Sequence, residues 1–189
     1  MELKPEMFKK MLPLPVTVIT TLDPNGIVNA APYGCVMPIL RLNDLIAIAS
    51  APSTMRHTLQ YIRDNKEFVV NIIGRPKFKE SMQTARNYPA GTDELVESGL
   101  EAVPSKMVKP PRIKDALGWI EATLTEELLR EKYSLVIGKV LHSEINDMYV
   151  KDGKLTEMPA ILLQPEYRVV GDKVIGNAEE TLKLFIPQA

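Results

Sequence analysis

The chain has 189 residues, of which 45% are apolar and 25% charged, with 23 lysines and arginines against 24 aspartates and glutamates. A globular chain of this size buries roughly 70% of the surface its unfolded form exposes, and the near-neutral balance, without any block of like charges, excludes a dedicated nucleic-acid binder. No apolar run approaches the roughly eighteen residues of a membrane span, and the lone Cys35 excludes an internal disulfide.

The opening Met1-Glu2-Leu3-Lys4-Pro5 lacks the apolar core of a secretory signal, so the expected location is cytoplasmic. His57 and His142 lie far apart, and no CxxC, HxxxH or HExxH spacing is present, so no transition-metal site is expected.

Lys4-Pro5 opens a short amphipathic helix carrying Met7, Phe8, Met11 and Leu12 at helical spacing. Residues 16–22 are almost wholly β-branched and run into Asp23-Pro24-Asn25-Gly26, a turn that predicts a hairpin with residues 27–32. The apolar run at 45–50 predicts a buried strand. A helix follows, with Ser53 as N-cap and Met55, Leu59 and Ile62 as its apolar stripe, ending at Asp64-Asn65. Residues 68–73 form a second buried strand, and 77–87 a polar helix.

From Tyr88 to Arg112 the chain carries Pro89, Gly91, Gly99, Pro104, Pro110 and Pro111 and is expected to be irregular, a length that points to a lid or another working loop. Strands return at 120–129, 135–145 and 167–175, the last pinched by Gly171-Asp172, and Asp152-Gly153 marks a further turn. Without a repeat, a linker or regular strand and helix alternation, residues 1–189 read as a single domain. The fold class is mainly β with short helices, arranged as a closed or nearly closed antiparallel barrel.

Neither GxGxxG, nor GxxxxGK, nor a GxSxG elbow occurs, and no acid and base pair stands out as catalytic. What is distinctive is Asn29-Ala30-Ala31-Pro32-Tyr33-Gly34, where small residues and a proline interrupt a strand. Proline confines such a strand to an edge or a bulge and lets backbone approach something flat. About twenty residues later, Ser50-Ala51-Pro52-Ser53 leads to Arg56-His57-Thr58 at a helix start, a collection of hydroxyls, amides and a guanidinium suited to phosphate.

In these segments the chain resembles the flavin reductase family of FMN-binding split barrels, which includes flavoredoxins and the reductase components of two-component monooxygenases. Pro15-Val16-Thr17-Val18-Ile19-Thr20-Thr21 matches the family's Pro-Val-x-x-Val-Thr-Thr strand, and residues 29–34 match Asn-x-Ala-Pro-(Tyr or Phe)-Ser. Further along, Arg56-His57-Thr58, Phe68-Val69-Val70-Asn71, the loop from Pro89 to Glu94, and Lys109-Pro110-Pro111-Arg112 follow in the family's order. Two positions depart from it: Gly34 replaces a serine, and His57 replaces part of a Lys-Asp pair.

The resemblance implies a homodimeric Greek-key split barrel holding FMN near the dimer interface, reduced by NADH or NADPH. Thr20, Thr21, Asn29, Ala30, Ala31, Pro32, Tyr33 and Gly34 would lie along the ring and ribityl chain, with Ser50, Arg56, His57 and Thr58 about the phosphate. The expected activity is hydride transfer from NAD(P)H to flavin. The alternatives are an FMN-bearing electron carrier reduced by a protein partner and a flavin-free dimeric binding module, and the partners that the resemblance implies are a redox protein or a monooxygenase. Cys35 reads as a small buried filler, Trp119 as core or dimer contact, His142 as structural, the methionines as gap fillers, and residues 88–94 as a flavin cover.

Overall fold

The computed structural model describes residues 2–40, 43–52 and 57–171. Seven antiparallel strands form its main sheet: β1 (Thr17–Leu22), β2 (Val28–Tyr33), β3 (Val36–Pro38), β4 (Leu45–Ser50), β5 (Glu67–Ile72), β6 (Gly118–Leu129) and β7 (Ser134–Ile145). Their order across the sheet is β2-β1-β5-β6-β7-β4-β3. Strands β4 to β7 therefore carry Greek-key order, with β4 returning to lie beside β7.

The two edge strands of this sheet, β2 and β3, are consecutive in the chain, separated only by Gly34 and Cys35. Two residues span no more than roughly 10 Å, so the sheet must curl until its opposite edges meet at that corner. The result is a split barrel, and Pro32 lies on one of the edges bordering the split, where its missing N–H breaks no ladder.

Burial on both faces explains the unbroken apolar runs. Ile19, Phe68, Val70, Ala122 and Val136 point inward and pack with Leu59 and Ile62 of helix α1 (His57–Asn65). Their neighbours Val18, Ala30 and Val69 point outward, under Leu95, Leu100, Ile113 and Ala116. Much of the stretch expected to be an irregular lid is thus the cover of the sheet's outer face. It contains a five-residue helix, Glu94–Ser98, opened by the Asp93 side chain accepting from Leu95 and Val96 N–H and closed by Gly99 at φ +71°.

Two fully buried polar residues tie this cover down. Asn71 Nδ2 donates to Val18 O and Thr20 Oγ1, while its Oδ1 accepts from Ile113 N–H. Thr20 in turn donates to Pro111 O at 2.6 Å.

The turn at Asp23 forms as expected, its carboxylate accepting from Asn25 and Ile27 N–H, and Asp152-Gly153 turns between two short paired strands. Other expectations need correction. The opening helix is a 3-10 turn, Pro5–Met11, that buries no residue and leaves Phe8 and Met11 exposed. The helix expected at 77–87 is confined to Phe78–Gln83. Cys35 is exposed, because the corner between the two edge strands turns it outward, away from the core. Strands Val36–Pro38 and Ala160–Leu163 were not anticipated. Ser53, Met55 and the end of the 167–175 strand with Asp172 lie outside the described residues.

Gly138 shows how tightly the interior is filled. A Cβ there would lie 2.6 Å from Phe68 Cζ and 3.3 Å from Thr123 O, and Phe68 is fully buried. Gly138→Ala is expected to destabilise the chain by about 1 to 3 kcal/mol through overpacking. Denaturant unfolding would measure it; a wild-type midpoint would mean that the Phe68 ring yields freely.

Candidate functional site

The corner where the edge strands meet opens beside the start of α1. There a cleft of about 100 Å³ is lined by Asn29, Ala31, Pro32, His57, Thr58 and Glu94, with residues 84–88 as the opposite wall. The cleft runs along the edge of β2 and is reached from both faces of the strand, by Asn29 and Ala31 from one and by Pro32 from the other, while Ala30 is buried in the outer-face packing.

Asn29 locks strand to helix. Its Nδ2 donates to Thr21 Oγ1 at 3.1 Å and to Thr58 Oγ1 at 3.0 Å, all three residues being buried. His57, at the start of α1, is partly exposed and stacks on Tyr61 with ring centroids 5.7 Å apart. Across the same corner, the Tyr33 and Ser50 hydroxyls lie 3.4 Å apart. Gly34 adjoins Pro15 and Tyr33 in a neighbouring cleft of about 230 Å³. A Cβ on Gly34 would meet Leu14 Cβ at an ordinary 3.4 Å, so the missing family hydroxyl is not excluded by lack of space.

The sequence-based set therefore divides. Asn29, Ala31, Pro32, His57 and Thr58 come together around one cleft, with Tyr33, Gly34 and Ser50 close by along the corner. Thr20 and Ala30 are fully buried and belong to the outer-face packing, while Thr21 is sealed beneath Asn29. These three shape the corner from behind. Arg56 lies outside the described residues.

Glu94, which closes the loop expected to cover the flavin, also lines the cleft, though it is not among the site residues expected from the sequence. Glu94 is 8% exposed, and its Oε2 accepts from Ala30 N–H at 2.5 Å, so it occupies the hydrogen-bonding edge that β2 turns away from β1. Burial pushes its carboxyl up to about 7, against the opposing effect of the Ala30 amide and with a smaller upward push from Asp93. In the sequence it closes the Pro89–Glu94 loop that follows the family's order, while its burial and its contact with Ala30 come from the fold. Arg86 on the opposite wall is not among the expected site residues either.

The Lys109-Pro110-Pro111-Arg112 motif serves another place. Arg112 Nε donates to Glu121 Oε1 at 2.6 Å, and Nη2 lies equally near that oxygen but at an angle unsuited to a second hydrogen bond. Nη1 donates to Glu144 Oε2 at 2.9 Å, which Lys106 Nζ and His142 Nε2 also reach. Burial raises the Glu121 carboxyl, but the Lys106 and Met107 amides and Arg112 outweigh it and hold the group below the usual range. Glu144 is held at about 2 by Lys106, then His142 and Arg112. Arg112 also lies 4.8 Å over the Trp119 ring, so His142 and Trp119 take structural places.

Among the described residues no helix is long and apolar enough to cross a membrane. A protein of Methanothermobacter thermautotrophicus, itself uncharacterized, is 43% identical over 148 residues, 75% of this chain and 69% of that one. Among solved structures, the flavoredoxin of Desulfovibrio vulgaris (Miyazaki F) superposes with a TM-score of 0.82 at 18% identity, covering 96% of this chain and 100% of that one. Nitrilotriacetate monooxygenase component B of Bacillus cereus gives 0.79 at 21% identity, covering 92% and 97%. At such identities these two structures establish the split-barrel fold alone. The family model for the flavin reductase like domain matches residues 8–170, so the chain belongs to the flavin reductase-like family.

Proposed function

We propose that the chain binds FMN in the corner cleft and passes a hydride to it from NADH or NADPH. The observation that carries this is the convergence of Asn29, Ala31, Pro32, His57 and Thr58 on one cleft at the meeting of the sheet's edges, within a chain of this family. The residues suit such a group: a strand edge of small side chains and proline admits a flat ring, and His57 with the hydroxyl of Ser50 supplies donors for a phosphate. Arg56 joins that phosphate set on the resemblance alone.

FMN, when bound, supplies the hydride acceptor. The chain's part is positional. Asn29 fixes β2 against α1 through Thr21 and Thr58, holding the ring-facing backbone in place, and the buried packing beneath Ala30 keeps that edge from shifting. Rigid placement of two reactants accounts for rate without an acid and base pair.

Titrating purified protein with FMN and then adding NADH or NADPH without oxygen tests the reading. Quenching of flavin fluorescence followed by bleaching of the flavin spectrum is expected. FMN uptake without bleaching by either donor would favour a carrier reduced by a protein partner, as the resemblance to a flavoredoxin allows; absence of FMN uptake would leave a binding module.

A homodimer belongs to the same proposal. An apolar strip runs along the sheet, from Val36, Leu45, Ile46 and Val140 past Ile72 and Ile120 to Leu117, Trp119, Ile145 and Leu155. Its two clefts hold about 680 and 580 Å³, and an apolar face of this kind suits burial against a second copy in a two-fold pair. Light scattering behind gel filtration should give twice the 21.1 kDa chain mass. A single-chain mass would refute the pairing.

A further inference from the structure

Glu94 combines three features that its packing alone does not require. It is a carboxylate more than nine-tenths buried, it lines the cleft together with Asn29, Ala31, His57 and Thr58, and among the described residues only one of its oxygens is used. Oε2 accepts from Ala30 N–H, whereas Oε1 has no hydrogen-bond partner among the described residues and is not sealed from the cleft. An oxygen of a largely buried carboxylate that meets the cleft, with no donor facing it among the described residues, is free to accept from a ligand there.

The sign of the charge restricts the ligand. A carboxylate repels phosphate and the flavin's ring carbonyls, and it accepts well from the ribityl hydroxyls and from the ring N3–H, which lies at the far end of the ring from the phosphate. Glu94 lines the same cleft as the small-residue strand edge assigned to the ring and the helix start assigned to the phosphate. The part of FMN that joins those two ends is the ribityl chain, a run of hydroxyls.

We propose that Glu94 Oε1 accepts a hydrogen bond from a ribityl hydroxyl of the bound flavin, making Glu94 a specificity-determining residue of the site. This rests on the flavin reading given above. The residue then works in two directions, pinning the strand edge through Ala30 with one oxygen and reading the ligand with the other. A flavin stripped of its side chain loses the second contact and keeps the first.

That difference supplies the test. At pH 8, affinities for FMN, riboflavin and lumiflavin, which is the ring without the ribityl chain, are measured by fluorescence quenching for wild type and Glu94→Gln. Gln keeps the shape and an acceptor for Ala30 N–H but removes the charge. FMN and riboflavin should bind the variant about tenfold more weakly, in line with loss of a hydrogen bond to a charged group, while lumiflavin stays within about twofold. An equal loss for all three would show that Glu94 acts through the strand or on the ring and not on the ribityl chain, and no loss for any would show that it touches no ligand; either overturns the proposal. Unchanged flavin affinities with a raised KM for NADH would assign the oxygen to the dinucleotide ribose and overturn it too. Wild-type protein that takes up none of the three flavins would instead overturn the flavin reading, and this inference with it. Circular dichroism of the variant confirms that the comparison is made between folded chains.

Discussion

Replacing Glu121 by alanine is expected to lower folding stability by about 3 to 5 kcal/mol, the range for stranding one member of a buried ion pair. Glu121 is fully buried, and its carboxylate satisfies Arg112 Nε together with the Lys106 and Met107 amides. Removing it leaves two amides without their acceptor and a guanidinium, 4% exposed as a residue, with only the more open Glu144 to answer it. Glu121→Gln preserves an acceptor and should cost less. Glu144→Ala, whose side chain is 30% exposed, should cost about 1 kcal/mol or less. Urea unfolding of the three variants gives the order directly, and Glu144→Ala costing as much as Glu121→Ala would show that Arg112 is held chiefly from the solvent side. The experiment bears on function because this knot fastens the segment through Pro111 to Thr20, directly behind the corner cleft.

The strands were legible because burial on two faces leaves a local record. Val18 and Ile19 belong to opposite cores, as do Val69 and Val70, and such positions admit little but β-branched or aromatic side chains. The Asp23 turn was equally legible, since an aspartate accepting from amides two and four residues on is a purely local device. Pro32 pointed correctly to an edge strand for the same reason.

What could not be read depends on distant partners. A five-residue helix at Glu94–Ser98 is too short to show periodicity, and it exists because Leu95 has Val18 and Ala30 to cover. The 3-10 turn at Pro5–Met11 carries a helical pattern with nothing among the described residues to bury it. Cys35 has the composition of a core residue, but its direction follows from the corner between β2 and β3, a property of the closed sheet. The candidate site divides along the same line. Asn29, His57 and Thr58 lie in a legible strand and helix start, and Thr20 and Ala30 share those motifs yet are buried in the outer-face packing. Glu94 reaches the cleft from 64 residues beyond the amide it caps.

Between pH 5 and pH 8 the flavin-free chain is expected to lose stability relative to its Glu94→Gln variant by about 2 to 3 kcal/mol, taking 1.36 kcal/mol for each unit of difference between folded and unfolded pKa. Burial holds the Glu94 carboxyl at about 7 in the folded chain, against an ordinary 4.5. The fold therefore favours the protonated form. Its contribution is fully present below pH 4.5 and is lost as pH rises through 7, a change that the variant lacks. Other titratable and charged groups face the same region: Asp23, His57 and Tyr61 line the smaller cleft that Glu94 also borders, Arg86 and Tyr88 line the opposite wall, and Asp93 adjoins Glu94 in the chain. They are common to both proteins, so the difference between the two curves isolates Glu94. Below pH 4.5 the sign reverses for Glu121, Glu127 and Glu144, whose folded carboxyls titrate lower than usual and whose contributions fall away in acid, which is why the comparison belongs above pH 5. Parallel urea midpoints for wild type and variant across that range would show that the Glu94 carboxyl ionises as an ordinary glutamate. A converging pair at pH 5 and a diverging pair at pH 8 would show that the cleft keeps a proton near neutral pH, held where the proposed ribityl hydroxyl would enter.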